Sequence, residues 1–113
     1  MHELGLTEKI FQLVLAEAEA HQAKKINKVK IAVGELSGVV EGSVEFYFQL
    51  LAKDTIAQEA ALEFTKIGAK LYCSQCDREF QKQSRDFLCP TCGNLARLTD
   101  NGQECIVESI EVD

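Results

Sequence analysis

Four cysteines constrain this chain more than any other feature. They read Cys73-Ser-Gln-Cys76, a spacer of twelve residues, then Cys89-Pro-Thr-Cys92-Gly93. Each Cys-x-x-Cys forms a tight knuckle that aims two sulfurs at one point. Two knuckles supply four thiolates, the donor set of a tetrahedral Zn²⁺ site. Pro90 and Gly93 suit the turn of the second knuckle. A closed Cys₄ shell leaves no position for a substrate, so Cys73, Cys76, Cys89 and Cys92 are expected to hold structural zinc. Three other readings compete: a redox dithiol, a rubredoxin-like iron site and two disulfides. Paired knuckles argue against the first, and the short spacer against the second. The third sits poorly with an acidic chain that has no secretory signal.

The segment around the cysteines has few apolar residues of its own: Leu71, Phe80, Phe87, Leu88 and Leu95. Its folding is therefore expected to depend on the metal. Gly68 precedes it and Asp100-Asn101-Gly102 follows it, both turn signals. They bracket residues 70–98 as a zinc-ribbon domain inserted into an α/β domain made of residues 1–69 with 99–113.

The α/β part is read from periodicity. Leu6, Ile10, Phe11, Val14 and Ala18 recur at three- and four-residue steps, which predicts an amphipathic helix over about 4–22. Residues 28–36 alternate, with Val29, Ile31 and Val33 on one face and Lys28 and Lys30 on the other: a strand with one buried side. A second helix over 43–53 is predicted with Ser43 as its cap and with Phe46, Tyr47 and Phe48 as core. Strands follow at Leu62–Ile67 and Glu104–Val112, the latter with Ile106, Ile110 and Val112 on one face and Cys105 and Val107 on the other. The fold class is α+β: a small mixed three-stranded sheet with two helices packed on it, plus the Cys₄ ribbon. The strand–helix–strand unit favours a parallel crossover, and the excursion between the last two strands is expected to close an antiparallel pair. Cys105 reads as a buried small hydrophobe.

The 113 residues carry a formal net charge of −6. Such a surface repels phosphate backbones, so no nucleic-acid partner is expected. The ribbon keeps a rival reading open, because Lys70, Arg78, Lys82, Arg85 and Arg97 outnumber Asp77, Glu79 and Asp86 by two. It lacks the interleaved aromatics of a base-stacking platform. No apolar run approaches the roughly 20 residues of a membrane span, and the first residues are no signal peptide. No membrane partner is expected, and the cytoplasm is the expected location.

His2 is unusual by position. A free amine on Met1, the His2 backbone nitrogen and the His2 imidazole Nδ1 can close adjacent chelate rings, with the Glu3 amide nitrogen or an outside ligand completing a square. Square-planar nitrogen donors suit Ni(II) or Cu(II). An ordinary frayed terminus is the competing reading. Gly5 follows, at a cost of about 1 kcal/mol against alanine if helical. Glu35 and Glu41 could add carboxylates or stand as solvated acids, and His21 reads as a solvated helix side chain.

Taken together, Met1-His2-Glu3-Leu4, Val33-Gly34-Glu35-Leu36-Ser37, the two cysteine knuckles and Ile110-Glu111-Val112 resemble the HypA family of nickel-incorporation proteins for hydrogenase and urease. The resemblance spans the whole chain. It implies a non-enzymatic nickel metallochaperone for maturation of [NiFe] hydrogenase. It further implies nickel at Met1, His2 and Glu3, with Glu3 giving its amide nitrogen or its carboxylate, zinc at the four cysteines, a HypB-type GTPase as co-worker and the hydrogenase large subunit as destination. A monomer is expected, with a domain-swapped dimer conceivable.

Overall fold

The structure, a computed structural model, describes residues 3–82 and 86–113. Its elements in chain order are α1 (Glu3–Ala20), β1 (Ile26–Gly34), α2 (Glu41–Ala52), β2 (Ala61–Ile67), β3 (Lys70–Cys73), β4 (Arg78–Gln81), β5 (Arg97–Leu98) and β6 (Cys105–Val112). The chain divides into two compact units. One comprises residues 1–32, 39–65 and 105–113; the other comprises 33–38 and 66–104. No helix among the described residues is long and apolar enough to cross a membrane.

The first sheet has the order β2-β1-β6, with β1 in the centre. Backbone bonds at its ends fix the strand directions. Ile26 N–H bonds to Ile56 O and Glu35 N–H to Ile67 O, so β1 and β2 run parallel. Lys24 N–H bonds to Asp113 O and Gly34 N–H to Glu104 O, so β6 runs antiparallel to β1. The sheet is mixed, as the alternation and the crossover imply. The antiparallel partner of β6 is β1, however, not β2. The last two strands of this sheet flank the first instead of pairing with each other.

Val29, Ile31 and Val33 are buried on one face of β1, as the alternation requires. Lys28 and Lys30 point to the other face. There Lys28 Nζ lies 3.3 Å from Glu63 Oε2, and Lys30 Nζ lies 4.0 Å from Glu63 Oε1. These pairs are exposed, worth roughly 0–1 kcal/mol each.

Along α1 the buried residues are Glu3, Thr7, Ile10, Val14 and Ala18, one stripe at three- and four-residue steps. Thr7 is fully buried because its hydroxyl donates back to the Glu3 carbonyl one turn earlier. The helix ends in a paired reversal. Ala23 N–H reaches Ala18 O and Gln22 N–H reaches Glu19 O, with Gln22 at φ 55°. His21 is exposed, its Nε2 3.1 Å from Glu17 Oε1.

α2 begins two residues before Ser43. Val40 is its N-cap residue and makes no side-chain cap, so Ser43 lies inside the first turn. Of its three consecutive aromatics only Phe48 is core. It meets Phe11 of α1 edge-on, ring centroids 5.5 Å apart. Phe46 is 57% exposed, and Tyr47 is half-buried. Three consecutive helical residues span about 200° of the wheel, so one face cannot take all of them. Ile106 is exposed and Cys105 half-buried, because β6 is an edge strand.

Gly5 lies inside α1, and a Cβ added there would meet nothing within 4 Å. Gly5→Ala is therefore expected to stabilise the protein by about 0.5–1 kcal/mol. That should raise the melting midpoint by a few degrees in a thermal scan.

Candidate metal centre

The ribbon is built around β3. It pairs antiparallel with β4 from Lys70↔Gln81 to Cys73↔Arg78, and with β5 at Leu71↔Leu98 and Tyr72↔Arg97. Cys73 ends β3, and the chain turns through Cys76 before β4 starts at Arg78. Asp77 closes the turn at φ 52°, a conformation that Asp tolerates. The second knuckle reverses at Gly93, φ 77°, where Gly93 N–H bonds to Cys89 O. A bridge from Leu88 to Leu95 holds the two sides of this knuckle together. Arg78 Nη2 donates to Thr91 Oγ1 at 2.9 Å and so ties one knuckle to the other.

All four sulfurs lie within 4.8 Å of one another. Cys73 Sγ is 3.5 Å from Cys92 Sγ, and Cys89 Sγ is 3.9 Å from Cys76 Sγ. Sulfurs at the corners of a tetrahedron with a Zn–S bond of ~2.3 Å would be roughly 3.8 Å apart. The spacing fits one shared ion and is far beyond a disulfide bond of about 2.05 Å. Cys73 and Cys89 are buried, Cys76 is half-buried and Cys92 exposed.

The donors around the sulfurs fit thiolates. Thr91 N–H points to Cys89 Sγ at 3.4 Å, and Asn94 Nδ2 to Cys92 Sγ at 3.4 Å. Hydrogen bonds from the Cys92 and Thr91 backbone pull the Cys89 thiol down to about 6. Hydrogen bonding to Cys92, burial and the other two sulfurs push Cys76 up to about 12. Four sulfurs this close cannot all ionise alone, and a divalent cation at their centre removes that conflict.

Thr91, Asn94 and Arg78 are the site residues that sequence reasoning missed. Their only signal is position: Thr91 falls two residues after the first cysteine of a knuckle, and Asn94 two residues after the second. Of the other expected site residues, Met1 and His2 lie outside the described residues. Arg85, counted among the ribbon's cations, does too. Glu3 opens α1 and is buried; its carboxylate Oε2 accepts the Val40 N–H at 3.2 Å. Glu35 Oε1 accepts the Ala69 N–H at 2.9 Å, and Glu41 sits half-buried in the first turn of α2.

Fold and site define a small α/β protein with a Cys₄ metal ribbon, its four donors supplied entirely by the chain. Residues 1–112 match the family described as "Hydrogenase/urease nickel incorporation, metallochaperone, hypA". The chain belongs to this family, which places it in nickel incorporation as a metallochaperone of hydrogenase maturation, not an enzyme. It is 40% identical over 114 aligned positions to hydrogenase maturation factor HypA of Caldanaerobacter subterraneus subsp. tengcongensis, covering all of both chains. It is 33% identical over 113 positions to hydrogenase maturation factor HybF of Escherichia coli O157:H7, again covering all of both. The solution structure of the Ni metallochaperone HypA from Helicobacter pylori shares the fold at a TM-score of 0.73. That match has 24% identity and covers 99% of this chain and 97% of the other.

Proposed function

We propose that this chain captures Ni(II) at Met1, His2 and Glu3 and, with a HypB-type GTPase, passes it to the large subunit of a [NiFe] hydrogenase in the cytoplasm. Membership over essentially the whole chain in a nickel-incorporation family carries this reading. Donor chemistry supports it. Met1 would give its amine, His2 its amide nitrogen and ring, and Glu3 its amide nitrogen. Glu3 is the first residue of α1. The first four N–H groups of a helix have no acceptor within it, so surrendering the Glu3 amide proton to a metal costs α1 no hydrogen bond. The negative charge then left on that nitrogen lies at the positive end of the helix dipole. In the same reading the four cysteines hold resident Zn²⁺. Residues 70–98 are the zinc ribbon, and residues 1–69 with 99–113 are the nickel-binding domain.

Such a chelate must release nickel in acid, because its amine, amide and imidazole donors then take up protons. Nickel affinity is expected to fall steadily from pH 8 to pH 5. An affinity flat across that range would exclude this donor set. Delivery is tested by mixing ⁶³Ni-loaded protein with apo large-subunit precursor, with and without the GTPase and GTP. GTP-dependent movement of label into the precursor is expected; label retained under all conditions would reject the carrier role.

A further inference from the structure

β6 leaves one side of the β2-β1-β6 sheet open. It is the last strand in that order, so no described strand pairs with the backbone groups facing away from β1. Folded proteins commonly guard such an edge with lysine, proline or a very short strand. β6 uses none of these: it runs eight residues, Cys105–Val112, without Lys, Arg or Pro. The opposite edge strand, β2, carries Lys66.

The helix layer is wider than the sheet beneath it. α1 packs against both α2 and β6. Two helices side by side cover roughly 20 Å, whereas three strands cover roughly 14 Å. The difference is about the width of one strand. A groove lies where that difference falls, between α1 and β6. Two cavities of about 460 Å³ and 380 Å³ form it, and both are lined by Leu13 and Val107. Ile10, Val14 and Ile110 extend its apolar surface. Leu13 is 56% exposed and Ile106 50%, apolar surface that a neighbour would cover.

Charge selects the neighbour. Glu17 and Glu108 line the larger cavity, and Lys9 lines the smaller. Glu17 meets the His21 ring at 3.1 Å, and Glu108 accepts from the Thr65 hydroxyl at 2.9 Å. Neither carboxylate pairs with a lysine or arginine among the described residues. A second copy of this chain would bring its own Glu108 and Glu111 to the same edge, on a chain of net charge −6. Like charges brought together across strands are destabilising, so self-pairing is disfavoured. A basic partner meets the opposite situation.

We propose that this groove receives an extended segment of a partner protein, which adds to β6 as a fourth strand. Every second side chain of that segment is apolar and lies beneath α1. Lysine or arginine side chains meet Glu108 on β6 and Glu17 at the end of the groove. Backbone pairing supplies affinity, and the apolar groove with its two acids supplies the choice of partner. None of the expected nickel donors takes part, so this inference stands apart from the terminal chelate.

The test titrates the full chain with two synthetic peptides of about ten residues, enough to span one edge strand. One alternates valine with lysine, the other valine with glutamate. Affinity, amide shifts and hydrogen exchange over residues 105–112 are read. The lysine peptide should shift and protect amides of β6 and bind about tenfold or more tighter than the glutamate peptide. Leu13→Ser should weaken it about tenfold, with the helical signal retained because Leu13 is exposed. Glu17→Lys with Glu108→Lys should reverse the preference between the peptides. Equal affinity for both peptides, shifts that leave 105–112 untouched, or no binding by the lysine peptide at about 1 mM would overturn the proposal. Sedimentation of the chain alone adds a further check. A dimer that Leu13→Ser dissolves would give the groove to a second copy and overturn the basic partner, whereas a monomer leaves the edge open as proposed.

Discussion

Removing the metal from Cys73, Cys76, Cys89 and Cys92 is expected to unfold residues 70–98 while the β2-β1-β6 sheet and its two helices stay folded. The ribbon cannot support itself on apolar burial. Among its described residues the buried ones are Leu71, Cys73, Cys89 and Ala96, whereas Leu88, Leu95 and Leu98 are exposed at 47%, 75% and 41%. Burying a leucine contributes about 1.5–3 kcal/mol, against about 1.5 kcal/mol lost for every residue ordered. A structural zinc contributes roughly 10–16 kcal/mol in comparable small peptides, more than this core can replace. The other unit buries Ile26, Val29, Ile31, Val44 and Phe48 without any metal. Amide spectra with a strong zinc chelator would separate the two. Signals from 70–98 should collapse to unfolded positions, and those of 26–32 and 44–52 should persist. Acid should act in the same direction. Metal binding displaces protons from the thiols, above all from Cys76, which its neighbouring sulfurs and burial push up to about 12. Affinity therefore falls as pH falls.

Gly34→Ala is expected to be strongly destabilising. A Cβ at Gly34 would stand 2.3 Å from the carbonyl carbon and oxygen of Gly102 and 2.8 Å from Gln103 N. All three are backbone atoms in a segment already bound: Gly34 N–H bonds to Glu104 O, and Leu36 N–H to Gly102 O. Gly102 has no room to withdraw. It sits at φ 93°, and a Cβ there would meet Ala69 Cα at 2.6 Å. Overpacking at one site typically costs 1–3 kcal/mol when side chains can yield. With only backbone to move, the loss should be about 3 kcal/mol or more, a large part of the 5–15 kcal/mol of a typical domain. Denaturant titration of Gly34→Ala beside Gly5→Ala checks both signs. The first midpoint should fall sharply and the second should rise.

These cases show where sequence was informative. The ribbon was legible because Cys-x-x-Cys spacing is a statement about geometry, and the four sulfurs do converge. The strand β1 was legible because Val29, Ile31 and Val33 alternate with Lys28 and Lys30 over one period. The start of α2 was not. Ser43 carries a capping side chain, yet the cap that forms comes from Glu3, 37 positions earlier, and no local pattern encodes that contact. The aromatic run Phe46-Tyr47-Phe48 misled for a related reason: composition indicates that a helix is apolar but not which third of it faces the core. The strand order failed similarly. Whether β6 lies beside β2 or β1 is decided by long-range pairing, to which the chain's local periodicity is blind. The resemblance to a nickel-incorporation family, carried by short motifs spread over the whole chain, agrees with the family match over residues 1–112.

The proposed nickel chelate is formed by Met1, His2 and Glu3, separate from a proposed zinc site at the four cysteines. Elemental analysis of untagged protein after nickel titration tests it most directly, for wild type, His2→Ala and a form with one residue added before Met1. The expected result is one zinc in all three and one nickel in wild type alone. Equal nickel in all three would contradict the chelate and move the nickel site elsewhere, and nickel in none would contradict the carrier role itself.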